Sequence, residues 1–264
     1  MSFNSTRQRW FNKPLLGSRL DLDWAAEYGV VGYWLMNEGN GTTLNDLTGD
    51  RKNGTYKNAA SPQTQWGSGK SGSALGFVRA SNNYVDFGAI PPSIQNPPVS
   101  VMLRVNPSSV ANYGGFFSGG LSGGWYLRNT NTGAIEWLVS NVGGNFSGGS
   151  LAAGTWSDVG FTMDASNNVK IYQDGKSVAT GGRNLTGSGN LILGTGNTSN
   201  NSEAFAGSIE WALVSSMVWT AAQISRLYAN PYAGILAPNY RRWFAPSGGV
   251  VARQQQLTLL GCGA

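Results

Sequence analysis

The chain has no histidine, one cysteine, and only 12% Asp, Glu, Lys and Arg in 264 residues. The missing histidine excludes Ser-His and Cys-His nucleophilic pairs and any His-ligated zinc. With Cys262 alone, no intrachain disulfide can form, so the fold stands without covalent staples. Low charge leaves the surface to Asn, Ser, Thr and Gly, or to burial against a partner. No stretch reaches the ~20 apolar residues that span a bilayer. The opening MSFNSTRQRWFNKP has no apolar run behind its basic residues, so it does not read as a secretory leader.

What the chain has in quantity is glycine, at 38 residues, and aromatic rings: 10 Trp, 10 Tyr and 10 Phe. Few windows favour helix. Short strands, tight turns and large rings are the composition of a two-sheet sandwich, jelly roll or barrel. Residues 155–180, TWSDVGFTMDASNNVKIYQDGKSVAT, show the unit most plainly. Val159, Phe161 and Met163 alternate with small or polar residues, which is the period of a strand with one buried face. Asp164 to Asn168 supply turn chemistry, Val169, Ile171 and Tyr172 rebuild a strand, and Asp174-Gly175 is a pair suited to a two-residue hairpin. The segment predicts a three-strand antiparallel meander.

Further strands are expected at 29–36, 53–56, 73–77, 83–87, 99–105, 125–128, 135–139, 190–194 and 208–214, with a short one at 217–219. Residues 73–77 and 83–87 are expected to pair as a hairpin, and 114–124 to form a glycine-rich loop. Thr220 to Ala229 is the one good helix, with Thr220 as N-cap, Gln223 completing a capping box, and Asn230-Pro231 as its stop. The flanks differ from this pattern. Trp10, Phe11, Leu15, Leu16, Leu20, Leu22 and Trp24 are too apolar for a solvated tail and lack a clean period. Arg7, Arg9, Lys13 and Arg19 lie before the first core strand, and Arg241, Arg242 and Arg253 after the last, within a net charge of +5. Basic ends suit an acidic protein surface or solvated tails; no nucleic-acid module is recognisable. The division expected is a docking arm at 1–28, a β domain at 29–232 and a second arm at 233–264.

The colinear order of Gly32-Tyr33-Trp34, Asn37-Glu38-Gly39-Asn40-Gly41, Asn45-Asp46-Leu47-Thr48-Gly49, Gly72-Ser73-Ala74-Leu75-Gly76-Phe77, Ile171-Tyr172-Gln173-Asp174-Gly175, Phe205-Ala206-Gly207-Ser208-Ile209 and the helix at 220–228 resembles the laminin-G-like, concanavalin A-like lectin/glucanase domain. Asn230-Pro231-Tyr232 followed by Arg241-Arg242-Trp243-Phe244 is similar to members found in tailed-phage virion proteins. The resemblance implies an all-β, two-sheet antiparallel jelly-roll sandwich with one short C-terminal helix and extended terminal arms. It implies a bacteriophage structural protein, a capsid decoration or head-fibre subunit assembled in host cytoplasm. Cys262 there reads as a free thiol.

Function divides three ways. In the structural reading, Arg9, Trp10, Phe11, Leu15, Leu16, Arg241, Arg242, Trp243 and Phe244 dock on a major capsid protein or another virion protein, or on further copies of the chain. In the alternative, a tail adhesin, Tyr113, Phe116, Trp125 and Tyr126 contact a host surface glycan; core packing is the competing role for these rings. Some relatives bind calcium through carboxylates, and Asp46 and Glu210 are the candidates here, with loop hydrogen bonding as the competing role, since two carboxylates fall short of the six to eight oxygens calcium takes. An enzyme is not expected, because Glu136 and Glu210 each stand alone on their strands, without the paired acids of glycoside hydrolysis. Nucleic acid and membrane are not expected partners.

Overall fold

The structure, a computed structural model, describes residues 12–48, 52–58, 65–120, 123–140, 143–185 and 188–237. In chain order the elements begin with β1 (Arg19–Leu20), α1 (Leu22–Tyr28), β2 (Val30–Trp34), β3 (Thr43–Leu44), β4 (Gly54–Lys57), β5 (Trp66–Ser68), β6 (Ser73–Phe77) and β7 (Tyr84–Ala89). After α2 (Pro92–Gln95) come β8 (Val99–Pro107), β9 (Gly114–Gly119), β10 (Trp125–Asn129), β11 (Ile135–Val139) and β12 (Gly143–Gly148). Then follow β13 (Ser157–Met163), β14 (Asn168–Gln173), β15 (Lys176–Gly182), β16 (Asn190–Leu193), β17 (Gly207–Ser215), α3 (Ala221–Ala229) and β18 (Ile235–Leu236).

Apart from the β1–β18 pair, the strands build two antiparallel sheets. One, the groove sheet, runs β12-β11-β10-β9-β16-β7-β4-β3. The other, the meander sheet, runs β15-β14-β13-β8-β17-β6-β5, with β2 pairing the second half of β17. The expected meander is there, β13-β14-β15. Its turn takes positive φ at both central residues, Asp174 at 48° and Gly175 at 79°, the geometry a two-residue hairpin needs. Between the sheets, Val101, Leu103, Val159 and Phe161 meet Phe117, Trp125, Leu127 and Trp137 in one core. This is the concanavalin A-like jelly-roll sandwich that the resemblance implies, closed by the short helix α3 with its capping box on Thr220 and Gln223.

Several expectations are corrected. β6 and β7 do not form a hairpin: β6 pairs with β5 and β17, β7 with β4 and β16, in opposite sheets. A 3-10 turn at Arg79–Ser81 carries the chain across, so Leu75 and Phe77 face Val85 and Phe87 through the core. Gly114–Gly119 is a buried strand, not a loop, because its small residues let rings from β10 pack close. Residues 217–219 form no strand; Met217 and Val218 are exposed while Trp219 turns inward.

The described part of the N-terminal arm docks on the chain's own sandwich. Asp21 caps α1 by accepting from the amides of Asp23 and Trp24, and Gly29 ends it in the left-handed region. Trp24 and Tyr28 stack at 4.5 Å and cover Tyr33, Trp211 and Leu213 on the outer face of the meander sheet. Ile224 and Leu227 of α3 cover the rest, and β18 pairs with β1. The central strands of the meander sheet, β8, β13 and β17, are thus buried on both faces, while β15 and β5 at its edges stay largely exposed. The groove sheet keeps its outer face for other work.

Candidate functional site

On that outer face, β9, β10 and β11 present Ser118, Tyr126, Arg128, Glu136 and Leu138, the positions that alternate with core residues. The loop between β16 and β17 folds over them. It is held by its own side chains: Asn197 and Asn200 accept from Ser199 and Ser202 amides, and Thr195 Oγ1 accepts from the Asn197 amide. It is also held from outside. Arg79 donates to the carbonyls of Tyr113 (2.5 Å), Ala204 (2.9 Å) and Ser202 (2.6 Å), and Asn82 donates to Thr198. The same turn that moves the chain between sheets therefore fixes the loop.

Loop and sheet enclose a groove of about 350 Å³, lined by Tyr126, Leu138, Ser140, Gly196, Asn197, Thr198, Ser199, Ser202 and Glu203. The size lies in the range of small-ligand sites. Gly196 lies flat on the Tyr126 ring, where a Cβ would come within 2.1 Å of it. The Tyr126 hydroxyl is buried and has no hydrogen-bond partner among the described residues; neither has Ser118 Oγ on the neighbouring strand. Burial first, then the nearby Glu203 carboxylate, push the Tyr126 phenol well above its ordinary pKa, so it stays an O–H donor. A buried donor without a partner is an unmet demand of order 1–3 kcal/mol. Around it stand hydroxyls and amides with one apolar side chain, Leu138: a lining suited to a ligand that offers many hydroxyls and little charge.

One cation organises the rim. Arg128 Nε donates to Glu136 Oε2 at 2.6 Å, its Nη1 donates to Glu203, and its guanidinium lies 4.3 Å from the Tyr113 ring centroid. Asn145 adds a hydrogen bond to Glu136. Both carboxylates nearest the groove are thus paired to the same guanidinium.

The sequence-expected residues distribute unevenly over this site. Tyr126 lies in the groove floor and Tyr113 at the rim, 38% exposed with Arg128 over its ring. Phe116 and Trp125 are corrected to core residues: both are fully buried, packed on Phe205 and Phe161 respectively, and offer a ligand no surface. Leu15 and Leu16 are exposed, at 60% and 55%. Arg9, Trp10, Phe11, Arg241, Arg242, Trp243 and Phe244 lie outside the described residues. Asp46 and Glu210 do not gather into a calcium set. Asp46 accepts from the amides of Tyr33, Thr48 and Lys52, each at 3.0 Å, which makes it a loop staple. Glu210 accepts from the Ser71 amide at 2.6 Å and faces Arg104. Among the described residues no three His, Cys, Asp or Glu side chains converge. Sequence reasoning missed the loop at 196–203; its run of Asn, Ser and Thr was the available signal.

The family model described as concanavalin A-like lectin/glucanases superfamily matches residues 79–225. No curated protein matches the chain. Among solved structures, Trypanosoma rangeli sialidase in complex with sialic acid is similar with a TM-score of 0.57 at 14% identity, over 76% of this chain and 32% of that one. Domain 4 of AbnA, a GH43 extracellular arabinanase from Geobacillus stearothermophilus, in complex with arabinotriose, is similar with a TM-score of 0.57 at 16% identity, over 80% of this chain and 99% of that one. The chain therefore spans about a third of the sialidase and nearly all of the arabinanase domain. At such identities the likeness is one of fold.

Proposed function

The chain belongs to the concanavalin A-like lectin/glucanase superfamily, and on that premise we propose that it is a non-enzymatic, carbohydrate-binding protein. The single observation that carries the reading is the groove itself, lined by the polar loop residues Asn197, Thr198, Ser199 and Ser202 with Ser140, Leu138 and Glu203. The complex of the similar arabinanase domain with arabinotriose lends the fold a precedent for sugar binding. The absence of catalysis is supported by the rim: Glu136 and Glu203 share Arg128, so neither stands free as the acid or nucleophile of a glycosidase. Binding of a panel of neutral oligosaccharides, measured by glycan array and then calorimetry, tests the reading. Saturable binding lost when Thr198 and Ser202 are replaced by Ala supports it; no binding by the intact chain to any member sinks it.

The setting of this module is proposed to be a bacteriophage virion, where the domain is displayed by a capsid-decoration or head-fibre subunit. What supports it is the aromatic-basic character of 1–11 and 238–244 together with the exposed pair Leu15 and Leu16, apolar surface that the sandwich itself does not use. Co-sedimentation of the full chain with phage shells, and its failure after replacement of Trp10, Phe11, Trp243 and Phe244 by Ser, is the expected outcome. A chain that stays monomeric and binds no shell protein would remove the virion role while leaving the sugar site untouched.

A further inference from the structure

The chain contains two Asn-Gly pairs, and each reads Asn-Gly-Thr: residues 40–42 and 53–55. Alike in sequence, they differ in the structure. Asn40 is exposed, in the turn between β2 and β3, and its two glycine neighbours hold positive φ, Gly39 at 68° and Gly41 at 78°. A Cβ on either glycine would meet nothing within 4 Å, so the turn stands clear of the sandwich. The Asn40 side chain folds back over its own peptide. The Gly41 amide lies 2.6 Å from Asn40 Oδ1, which brings Cγ beside the same nitrogen, and among the described residues the carboxamide has no other hydrogen-bond partner. Asn53 is pinned instead. Its Oδ1 accepts from the Asp46 amide at 2.9 Å. Lys52 before it gives its carbonyl to Trp34 Nε1 at 2.8 Å and its amide to Asp46 Oδ2 at 3.0 Å. Gly54 after it is buried in β4 opposite Leu44, where a Cβ would come within 2.4 Å of Val85 Cγ1.

We propose that Asn40 is a site of self-modification: its carboxamide converts to a carboxylate through a cyclic imide formed with the Gly41 nitrogen, while the fold protects Asn53 from the same reaction. The step needs only water. The Gly41 amide gives its proton to hydroxide, and its nitrogen attacks Asn40 Cγ. The new N–Cγ bond closes a five-membered succinimide. The Cγ–Nδ2 bond breaks, and the leaving nitrogen takes a proton from water and departs as ammonia. Water then opens the ring. Attack at Cγ gives aspartate; attack at the backbone carbonyl gives isoaspartate, with the chain running through the side chain. The sum is ammonia lost and water gained, with nothing oxidised or reduced. Glycine favours the closure at Asn40 because no Cβ crowds the attacking nitrogen. At Asn53 the same closure must first break the bond from the Asp46 amide and draw Gly54 out of β4, which is a local opening of the sheet. The product reaches beyond the turn. The Gly41 carbonyl accepts from Trp66 Nε1 on β5 at 3.0 Å, and an isoaspartyl link, one methylene longer in the main chain, shifts that acceptor.

The test is a time course of the full folded chain at mildly alkaline pH and physiological temperature, beside a sample unfolded in guanidinium chloride, read by mass spectrometry of tryptic peptides. Cleavage after Arg19, Arg51, Lys52 and Lys57 puts the two asparagines in separate peptides, 20–51 and 53–57, and fragmentation separates Asn40 from Asn37 and Asn45. In the folded chain Asn40 is expected to convert at least about tenfold faster than Asn53, which waits on local opening. In guanidinium the two should convert within about twofold of each other, because their local sequences match and the fold is gone. Equal rates in the folded chain, or no conversion at Asn40, overturn the proposal. A contrast that persists unchanged in guanidinium also overturns it, by tracing the difference to sequence instead of fold. Asn40→Gln, whose longer side chain closes its ring far more slowly, should remove the acidic species that isoelectric focusing resolves in the aged native chain. Persistence of that species at full strength in Asn40→Gln overturns the assignment.

Discussion

Arg104 on β8 and Asp158 on β13 face each other across the ladder and share two hydrogen bonds, Nε to Oδ1 at 2.5 Å and Nη2 to Oδ2 at 3.0 Å. Both are buried, and Glu210 Oε2 lies 3.5 Å from the remaining nitrogen. The bidentate geometry matches the planar guanidinium to the planar carboxylate. Removing one partner of such a pair leaves a buried charge unmatched. Arg104→Met, which strands both Asp158 and Glu210, is expected to cost about 3–5 kcal/mol in urea unfolding, and the double variant Arg104→Met, Asp158→Leu to recover much of it. A loss under about 1 kcal/mol would mean that the pair acts like an exposed one.

Tyr126 offers the reverse experiment, a buried polar group whose removal relieves rather than strands. Its hydroxyl has no hydrogen-bond partner among the described residues, so Tyr126→Phe should leave stability within about 0.5 kcal/mol or raise it slightly. Sugar affinity should change less than about twofold, because Gly196 and Gly115 close over the hydroxyl and leave a ligand no access to it. Calorimetry of folding and of binding on the same variant reads the two effects separately. A variant that loses affinity while keeping stability would show that the loop opens to admit the ligand to the hydroxyl.

Gly175 is constrained twice. Its φ of 79° is the left-handed conformation the hairpin turn requires, and a Cβ there would approach Tyr228 Cβ to 3.1 Å, against α3. Gly175→Ala is therefore expected to destabilise by about 1–2 kcal/mol, whereas Asp174→Asn, which tolerates the same conformation at its own site, should be near neutral. Chemical denaturation of the two variants side by side checks the ordering.

Lys13 sets a pH dependence of known sign. Burial draws its pKa down from 10.5 to about 7, with Glu210 and Glu38 pulling it back up and Arg104 adding to the fall. Between those values the unfolded chain carries a proton that the folded chain has given up. The contribution of Lys13 is least favourable below pH 7, where both states are charged. It improves as pH rises to 10.5, by at most ~1.4 kcal/mol per unit. The stability of the native chain relative to Lys13→Met should accordingly increase between about pH 6 and about pH 9. A flat difference would show that Lys13 titrates as an exposed lysine does.

Much of the sandwich was legible because its signals are local. Alternation at Val159, Phe161 and Met163, the Asp174-Gly175 turn and the Thr220 capping box each depend on a few neighbouring residues, and each appears where expected. What was not legible depends on partners far along the chain. Leu75, Phe77, Val85 and Phe87 alternate as a hairpin would, and nothing local distinguishes pairing within a sheet from facing across the core. Phe116 and Trp125 read as candidate sugar platforms because glycines flank them, yet the same glycines admit the close packing that buries them. Lys13 read as arm charge, since the three carbonyls that receive it lie 23, 60 and 197 residues away.

The same limit bears on where the fold can be cut. Sequence pattern puts the start of the domain at Gly29, because α1 is too short to show a period. In the structure Trp24 is essentially inaccessible, stacked on Tyr28 and packed near Tyr33, and the Tyr28 carbonyl accepts from Trp219 Nε1 at 2.8 Å and Ser215 Oγ at 2.6 Å. A chain beginning at Gly29 would expose Tyr33, Trp211 and Leu213, lose the β1–β18 pair and lose the hydrogen bonds of Lys13 to the Met36, Ser73 and Glu210 carbonyls. Trp24→Ala alone is expected to cost about 3–5 kcal/mol. Deletion of residues 1–28 should therefore give an aggregating or largely unfolded product by circular dichroism and light scattering, whereas deletion of residues 1–11 should leave the melting curve of the sandwich intact. A stable, monomeric chain from Gly29 onward would show that the cover of α1 is dispensable and that the jelly roll closes its outer face without it.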